Sequence, residues 1–225
     1  MAGAKQERAV RTRAALVQAG ARAFGELGFV GASVQKITKD AGVTLGAMYF
    51  HFASKEDLAR EIIRSQPGRL TLGHGSAGLQ RAVDITLHWA SQLLEDPILL
   101  AGARLVMDQE YFITPEEESS HHQWAEVVIP TLRDAQRNGE LRADVDVDAL
   151  ARLIVNGCTG AQMHAQLSSR RIDLVDRVAE MWRLLLPLVT PDGAPRITLQ
   201  AESPTAGDNG TLPGPRAEPA GAAEN

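Results

Sequence analysis

Apolar residues recur every three or four positions over most of the chain, and almost nowhere at every second position. That pattern predicts amphipathic helices and no strand of useful length. The stripes fall over 6–27, 34–41, 45–51, 55–66, 79–95, 97–109, 116–138, 146–167 and 173–188. Breakers stand between them: Pro67-Gly68, the glycine-rich run 73–78, Thr114-Pro115 and Asn138-Gly139. Pro97 suits the first turn of a helix, and Pro130 predicts a bend within one. The expected architecture is all-α, with about nine helices.

The stretch 33–58 carries the most information. Ser33 suits an N-cap, and Val34, Ile37 and Ala41 form one apolar stripe with Lys36 and Lys39 off it. Gly42 follows where a left-handed backbone costs least in glycine. Thr44 caps the next segment, a very short helix that packing rather than propensity must hold. Ala47 and Phe50 are expected inward, leaving Leu45, Gly46, Tyr49 and His51 outside. Ser54 caps a third helix, with Glu56 and Asp57 placed favourably in its first turn. Two short helices joined by a tight turn have the form of a helix-turn-helix, whose second helix enters the DNA major groove.

Charge sharpens this picture. The first 70 residues hold 11 Lys+Arg against 6 Asp+Glu, while the remainder holds 12 against 22. The overall −5 therefore hides a basic head on an acidic body. Such a head attracts phosphate in a salt-dependent way, with Arg8, Arg11 and Arg13 able to steer it. The lone Cys158 forms no disulfide within the chain, falls in an apolar helical run and suits a reducing cytoplasm. No signal region and no run of eighteen apolar residues is present, so no membrane role is expected. Residues 190–225 hold 6 Pro, 5 Gly and three large aliphatic side chains, which predicts a disordered tail.

The run Val43-Thr44-Leu45-Gly46-Ala47-Met48-Tyr49-Phe50-His51-Phe52, followed by Lys55-Glu56-Asp57-Leu58, resembles the DNA-binding signature of TetR-family repressors. Arg13, Phe24, Gly28 and Phe29 extend the likeness. The resemblance implies a DNA-binding domain over 1–54, a ligand-binding and dimerisation domain over 55–190, and a tail over 191–225. The candidate DNA-facing set is Ser33, Thr44, Leu45, Gly46, Ala47, Tyr49, Phe50, His51 and Lys55. Of these, Thr44, Tyr49, His51 and Lys55 can donate to phosphate, and Leu45, Gly46 and Ala47 stand where bases are read. Members of the family often carry lysine at the place of Leu45. Leucine offers only apolar contact, such as to a thymine methyl.

Within the body, 97–108 (PILLAGARLVMD), Trp124 in HHQWAEVV, and 135–141 (AQRNGEL) resemble γ-butyrolactone receptors, TetR-type repressors that release DNA on binding a small autoregulator. That likeness implies a small-molecule inducer of lactone, furan or butenolide type and no cofactor. It points to Trp124 as a pocket wall and to Gln66 and Thr159 as hydrogen-bonding groups, with Trp89 an aromatic candidate by position. The wide apolar faces over 146–167 and 173–188 suit a four-helix interface between two copies, with Gly157, Gly160 and Ala161 allowing close approach. A homodimer would match a palindromic operator of two half-sites.

Three other readings stand beside this one, the first a DNA binder whose body serves only to dimerise. A TetR-type sensor answering an antibiotic or a biosynthetic intermediate has the same sequence features. An enzyme reading rests on Glu117 and His121, which share a helix face at i, i+4, but no further ligand follows at zinc spacing. Phosphate loops, nucleophile elbows and triads are absent from the sequence.

Overall fold

The computed structural model describes residues 2–73, 75–114, 119–200 and 210–211. Among them are nine α-helices: α1 (Ala2–Gly31), α2 (Val34–Ala41), α3 (Leu45–His51), α4 (Lys55–Ser65), α5 (Gly78–Gln92), α6 (Pro97–Leu105), α7 (Ser120–Arg137), α8 (Val147–Ser168) and α9 (Leu174–Val189). A two-residue strand, β1 (Thr71–Leu72), pairs antiparallel with β2 (Gly210–Thr211). No described helix is long and apolar enough to cross a membrane.

The chain builds two cores. The first gathers Leu16 and Phe24 of α1, Ile37 of α2, Met48 of α3, and Leu58 and Ile62 of α4, all essentially buried. Each such side chain contributes about 1.5–3 kcal/mol. Ile98, Ala101 and Leu105 of α6, with Phe112 beyond it, complete this core. The head's hydrophobic core therefore runs past residue 54 into α4 and α6. Gly28 breaks the line of α1 (φ 70, ψ 179). The Phe29 N–H that follows donates to Asp108 Oδ2 at 2.8 Å, which pins this corner to the segment leaving α6.

The second core lies among α5, α7, α8 and α9, around Leu87, Val128, Leu132, Ile154 and Trp182. Two of its buried polar groups pair with each other. The Trp182 indole donates to Thr86 Oγ1 at 2.8 Å, and Thr86 donates in turn to the Val83 carbonyl. Pro130 lies within α7, whose 18 residues run on through it.

Three expectations changed. Helix α7 begins at Ser120, capped by the Ser119 hydroxyl, rather than at 116; residues 115–118 lie outside the described set. Residues 191–200 are not loose: Gln80 accepts from the Thr198 N–H (2.8 Å) and donates to its carbonyl (3.0 Å). Ile197 and Leu199 pack on the body's core. An amide that imitates a strand partner, plus two aliphatic side chains, offsets the ordering cost that average composition predicted to be too high. The rest of the expected tail, 201–209 and 212–225, lies outside the described residues. Third, Gly157 serves the protomer's own packing, because a β-carbon there would meet Met181 Sδ at 2.5 Å, whereas Gly160 has open space around it.

Candidate functional site

The head's helices are set by local capping. Ser33 Oγ accepts from Lys36 N at 3.1 Å, Thr44 Oγ1 from Ala47 N at 3.2 Å, and Ser54 Oγ from Asp57 N at 3.1 Å. Each bond satisfies an N–H that a helix start leaves orphaned. Gly42 closes α2 at φ 68, and its N–H donates back to Lys39 O. The short α3 is anchored by buried Met48 and by Phe52 at its end.

Anchoring through Met48 turns the rest of α3 outward. Leu45, Tyr49 and Phe50 are 46%, 52% and 78% exposed. Phe50, expected inward, instead faces solvent with its ring edge-on to His51. With a seven-residue helix, a one-position error in choosing the anchor swings a side chain by about 100°. Leu45, Gly46, Tyr49 and Phe50 thus share an exposed surface with Ser33 and Thr44, while Ala47 and His51 are half-buried.

Lys55 departs further from expectation. Its ammonium donates to the Phe29 and Ala32 carbonyls at 2.9 and 3.2 Å and sits 4.2 Å from the Phe29 ring centroid. It ties α4 to the end of α1 instead of presenting itself wholly to phosphate. Arg13 is similarly engaged, with Glu61 at 2.8 Å and the Phe52 ring at 5.0 Å. Lys36 keeps an exposed bond to Asp40, which raises its pKa.

The body holds a half-open, mostly apolar cleft among α4, α5, α6, α7 and α8, the kind of concavity that suits a small molecule. Gln66, Trp89, Trp124 and Thr159 all line it, although 93 residues separate the first from the last. Ile85, Ala103, Val106, Val128 and Val155 supply apolar wall. Among the described residues, no Lys, Arg, Asp, Glu or His lines it. Cys158 does, but burial pushes its thiol pKa up to about 12, so the thiol stays neutral.

The lining side chains differ in what they have left to offer. Gln66 is buried at the end of α4 and donates to Ile63 O at 3.3 Å. Its amide fits only because residue 102 is glycine; a β-carbon there would fall on the amide itself. Thr159 spends its proton on Val155 O at 2.9 Å, so it meets a ligand as an acceptor unless its rotamer changes. Sequence reasoning missed Ser120 and Gln162. Gln162 is buried, donates to Ala103 O at 3.0 Å and accepts from Arg171 Nε at 3.1 Å. A buried polar residue in an apolar helix was its one available signal.

His121 is half-buried, and desolvation lowers its pKa. Its expected partner Glu117 lies outside the described residues, among which no three His, Cys, Asp or Glu side chains gather to hold a metal.

Residues 16–62 match the family model for bacterial regulatory proteins of the tetR family, and residues 76–191 match that for the tetracyclin repressor-like C-terminal domain. The chain belongs to the TetR family. It is 35% identical over 193 residues to the A-factor receptor protein of Streptomyces griseus, spanning 84% of this chain and 68% of that protein. The crystal structure of TylP, a TetR regulator from Streptomyces fradiae, superposes with a TM-score of 0.71 at 36% identity, covering 82% of this chain and 89% of that one. CprB of Streptomyces coelicolor, solved with its operator, gives 0.65 at 32% identity, covering 83% and 92%.

In this TetR protein α6 joins the two sites. Gly102, Ala103 and Val106 line the cleft, and Ile98, Ala101 and Leu105 enter the head's core. Gln123 of α7 also donates to Arg64 O of α4 at 2.9 Å, beside Gln66. Movement in the cleft therefore has two short mechanical routes to the head.

Proposed function

We propose that this protein is a homodimeric repressor that binds a palindromic operator and leaves it when a γ-butyrolactone, furan or butenolide-type signal occupies the cleft. One observation carries the reading: the head that presents the outward α3 surface and an uncharged, tryptophan-lined cleft are both built on one helix, α6. The likeness to the A-factor receptor and to an operator-bound CprB supports it, and points to control of antibiotic or other secondary-metabolite genes in the cytoplasm. The protein works by binding rather than by catalysis, and no cofactor takes part.

Leu45, Gly46, Ala47, Tyr49 and Phe50 read the groove. Ser33, Thr44 and His51 flank it, and Lys55 chiefly holds the head's shape. Dimerisation uses α8 and α9, whose exposed faces carry Leu153, Met163, Leu167, Leu184 and Leu188. Such apolar stripes on neighbouring helices suit an isologous four-helix contact. In the cleft, Trp124 and Trp89 give flat walls and Gln66 a polar contact. A nearly complete switch requires about 5.5 kcal/mol of preference for the DNA-free state.

Thermal denaturation against lactones, furans, butenolides and antibiotics tests this. A true effector at 100 times its dissociation constant stabilises by about 2.7 kcal/mol. It must also release the protein from a palindrome flanking its gene. Stabilisation by an antibiotic alone would replace the signalling-molecule reading.

A further inference from the structure

The cleft's polar inventory is short, and most of it is already used. Thr86 accepts from Trp182 and donates to Val83 O. Thr159 donates to Val155 O, and Gln162 is held at both ends of its amide. Gln66 has an N–H on Ile63 O. Three donors in the lining have no side-chain partner among the described residues: the Ser120 hydroxyl and the indole N–H groups of Trp124 and Trp89, of which Ser120 and Trp124 share α7.

Ser120 and Trp124 stand four positions apart on α7, one turn along the same face. Ser120 is 4% exposed. Its hydroxyl is not needed by the helix, because Ser119 caps α7 and the Ser120 N–H donates to Gln109 Oε1 at 2.9 Å. The hydroxyl therefore remains available to pair with an acceptor on an occupant of the cleft. A carboxylate is the wrong acceptor, because among the described residues no cationic side chain lines the cleft to offset its desolvation. A neutral carbonyl oxygen fits.

We propose that Ser120 and Trp124 form a two-donor subsite for an uncharged carbonyl of the effector, with Ser120 the determinant that distinguishes a ring bearing that oxygen from one lacking it. The alkyl part is left to Ile85, Val128 and Val155. The subsite has a direct line to the head: Gln109, which holds the Ser120 N–H, also donates to Val106 O at the end of α6. This inference rests on the cleft being the effector site.

The test uses the full-length protein on its operator, titrated with an α-alkyl-γ-butyrolactone and with the 3-alkyltetrahydrofuran of equal chain length, which differ only in the ring carbonyl. Wild type should require less lactone than ether for half-release. Ser120→Ala should raise the lactone requirement by roughly tenfold, the usual scale for one lost hydrogen bond. It should leave the ether response and operator affinity unchanged. Ser120→Cys, a weaker donor of similar shape, should fall between and guards against a folding defect in the alanine variant. An unchanged lactone response in Ser120→Ala, with Trp124→Ala impaired, overturns the role of Ser120 and leaves the effector site standing. A wild type that answers neither compound overturns the lactone reading and this proposal together.

Discussion

The head and the body spend their hydroxyl groups differently. In the head, Ser33, Thr44 and Ser54 each accept from an N–H three residues on, so these three hydroxyls fix helix starts, as Ser119 does for α7 in the body. In the body, Thr86 and Thr159 sit mid-helix, and Ser120 keeps its hydroxyl unpaired among the described residues at the edge of a cleft. The head is filled and turns apolar side chains outward on α3; the body encloses space. A reader of DNA needs a rigid, outward surface, whereas a sensor needs room and a few uncommitted polar groups.

The largest expected break falls at the joint within the head. Lys55→Ala removes two bonds from an ammonium to backbone carbonyls and should cost about 2–3 kcal/mol. Chemical denaturation would show it, with operator affinity falling alongside. If stability is unchanged and only operator affinity drops, Lys55 is a phosphate contact after all.

The contrast also explains what the sequence made legible. The head's elements are written in neighbouring residues: caps, a stripe and a glycine stop within 33–58. The second core's helices were readable from their periodicity for the same reason. Completion of the head by Ile98, Leu105 and Phe112, and the Asp108–Phe29 bond across 79 positions, has no local signature. The cleft is similar. Trp124, Gln66, Trp89 and Thr159 came from resemblance and position, but their gathering around one space depends on five helices packing. Ser120 looked like an ordinary helix-start serine. Phe50 was misplaced because alternation within seven residues does not distinguish Met48 from Phe50 as the anchor.

A smaller perturbation strikes the body. Gly102→Ala places a methyl on the Gln66 amide and should destabilise by about 1–3 kcal/mol, lowering the melting temperature by about 2–4 °C for each kcal/mol. Effector affinity should weaken too. A melting temperature equal to wild type would mean that Gln66 has another place to go.

On the head's surface, Leu45→Lys should add a phosphate or guanine contact and steepen the slope of log affinity against log salt by about 0.9 for each phosphate gained. An identical slope and base preference would show that position 45 does not touch DNA. The gentlest test concerns Cys158. With its thiol pKa raised to about 12 by burial, the folded protein should label slowly with a thiol reagent at pH 8 and rapidly once unfolded. Because the folded pKa is raised, the associated stability is present below the ordinary thiol pKa of about 9 and is lost as pH climbs from there towards 12. Rapid labelling of the native protein would show the cleft to be more open than this.

The most direct test of the account measures operator binding and lactone-driven release by fluorescence anisotropy in wild type and Trp124→Ala. The account predicts equal operator affinity for the two proteins, release of wild type by the lactone, and a variant that stays bound at the same concentration. Release of Trp124→Ala at the wild-type concentration would contradict the cleft as the site through which the head is controlled.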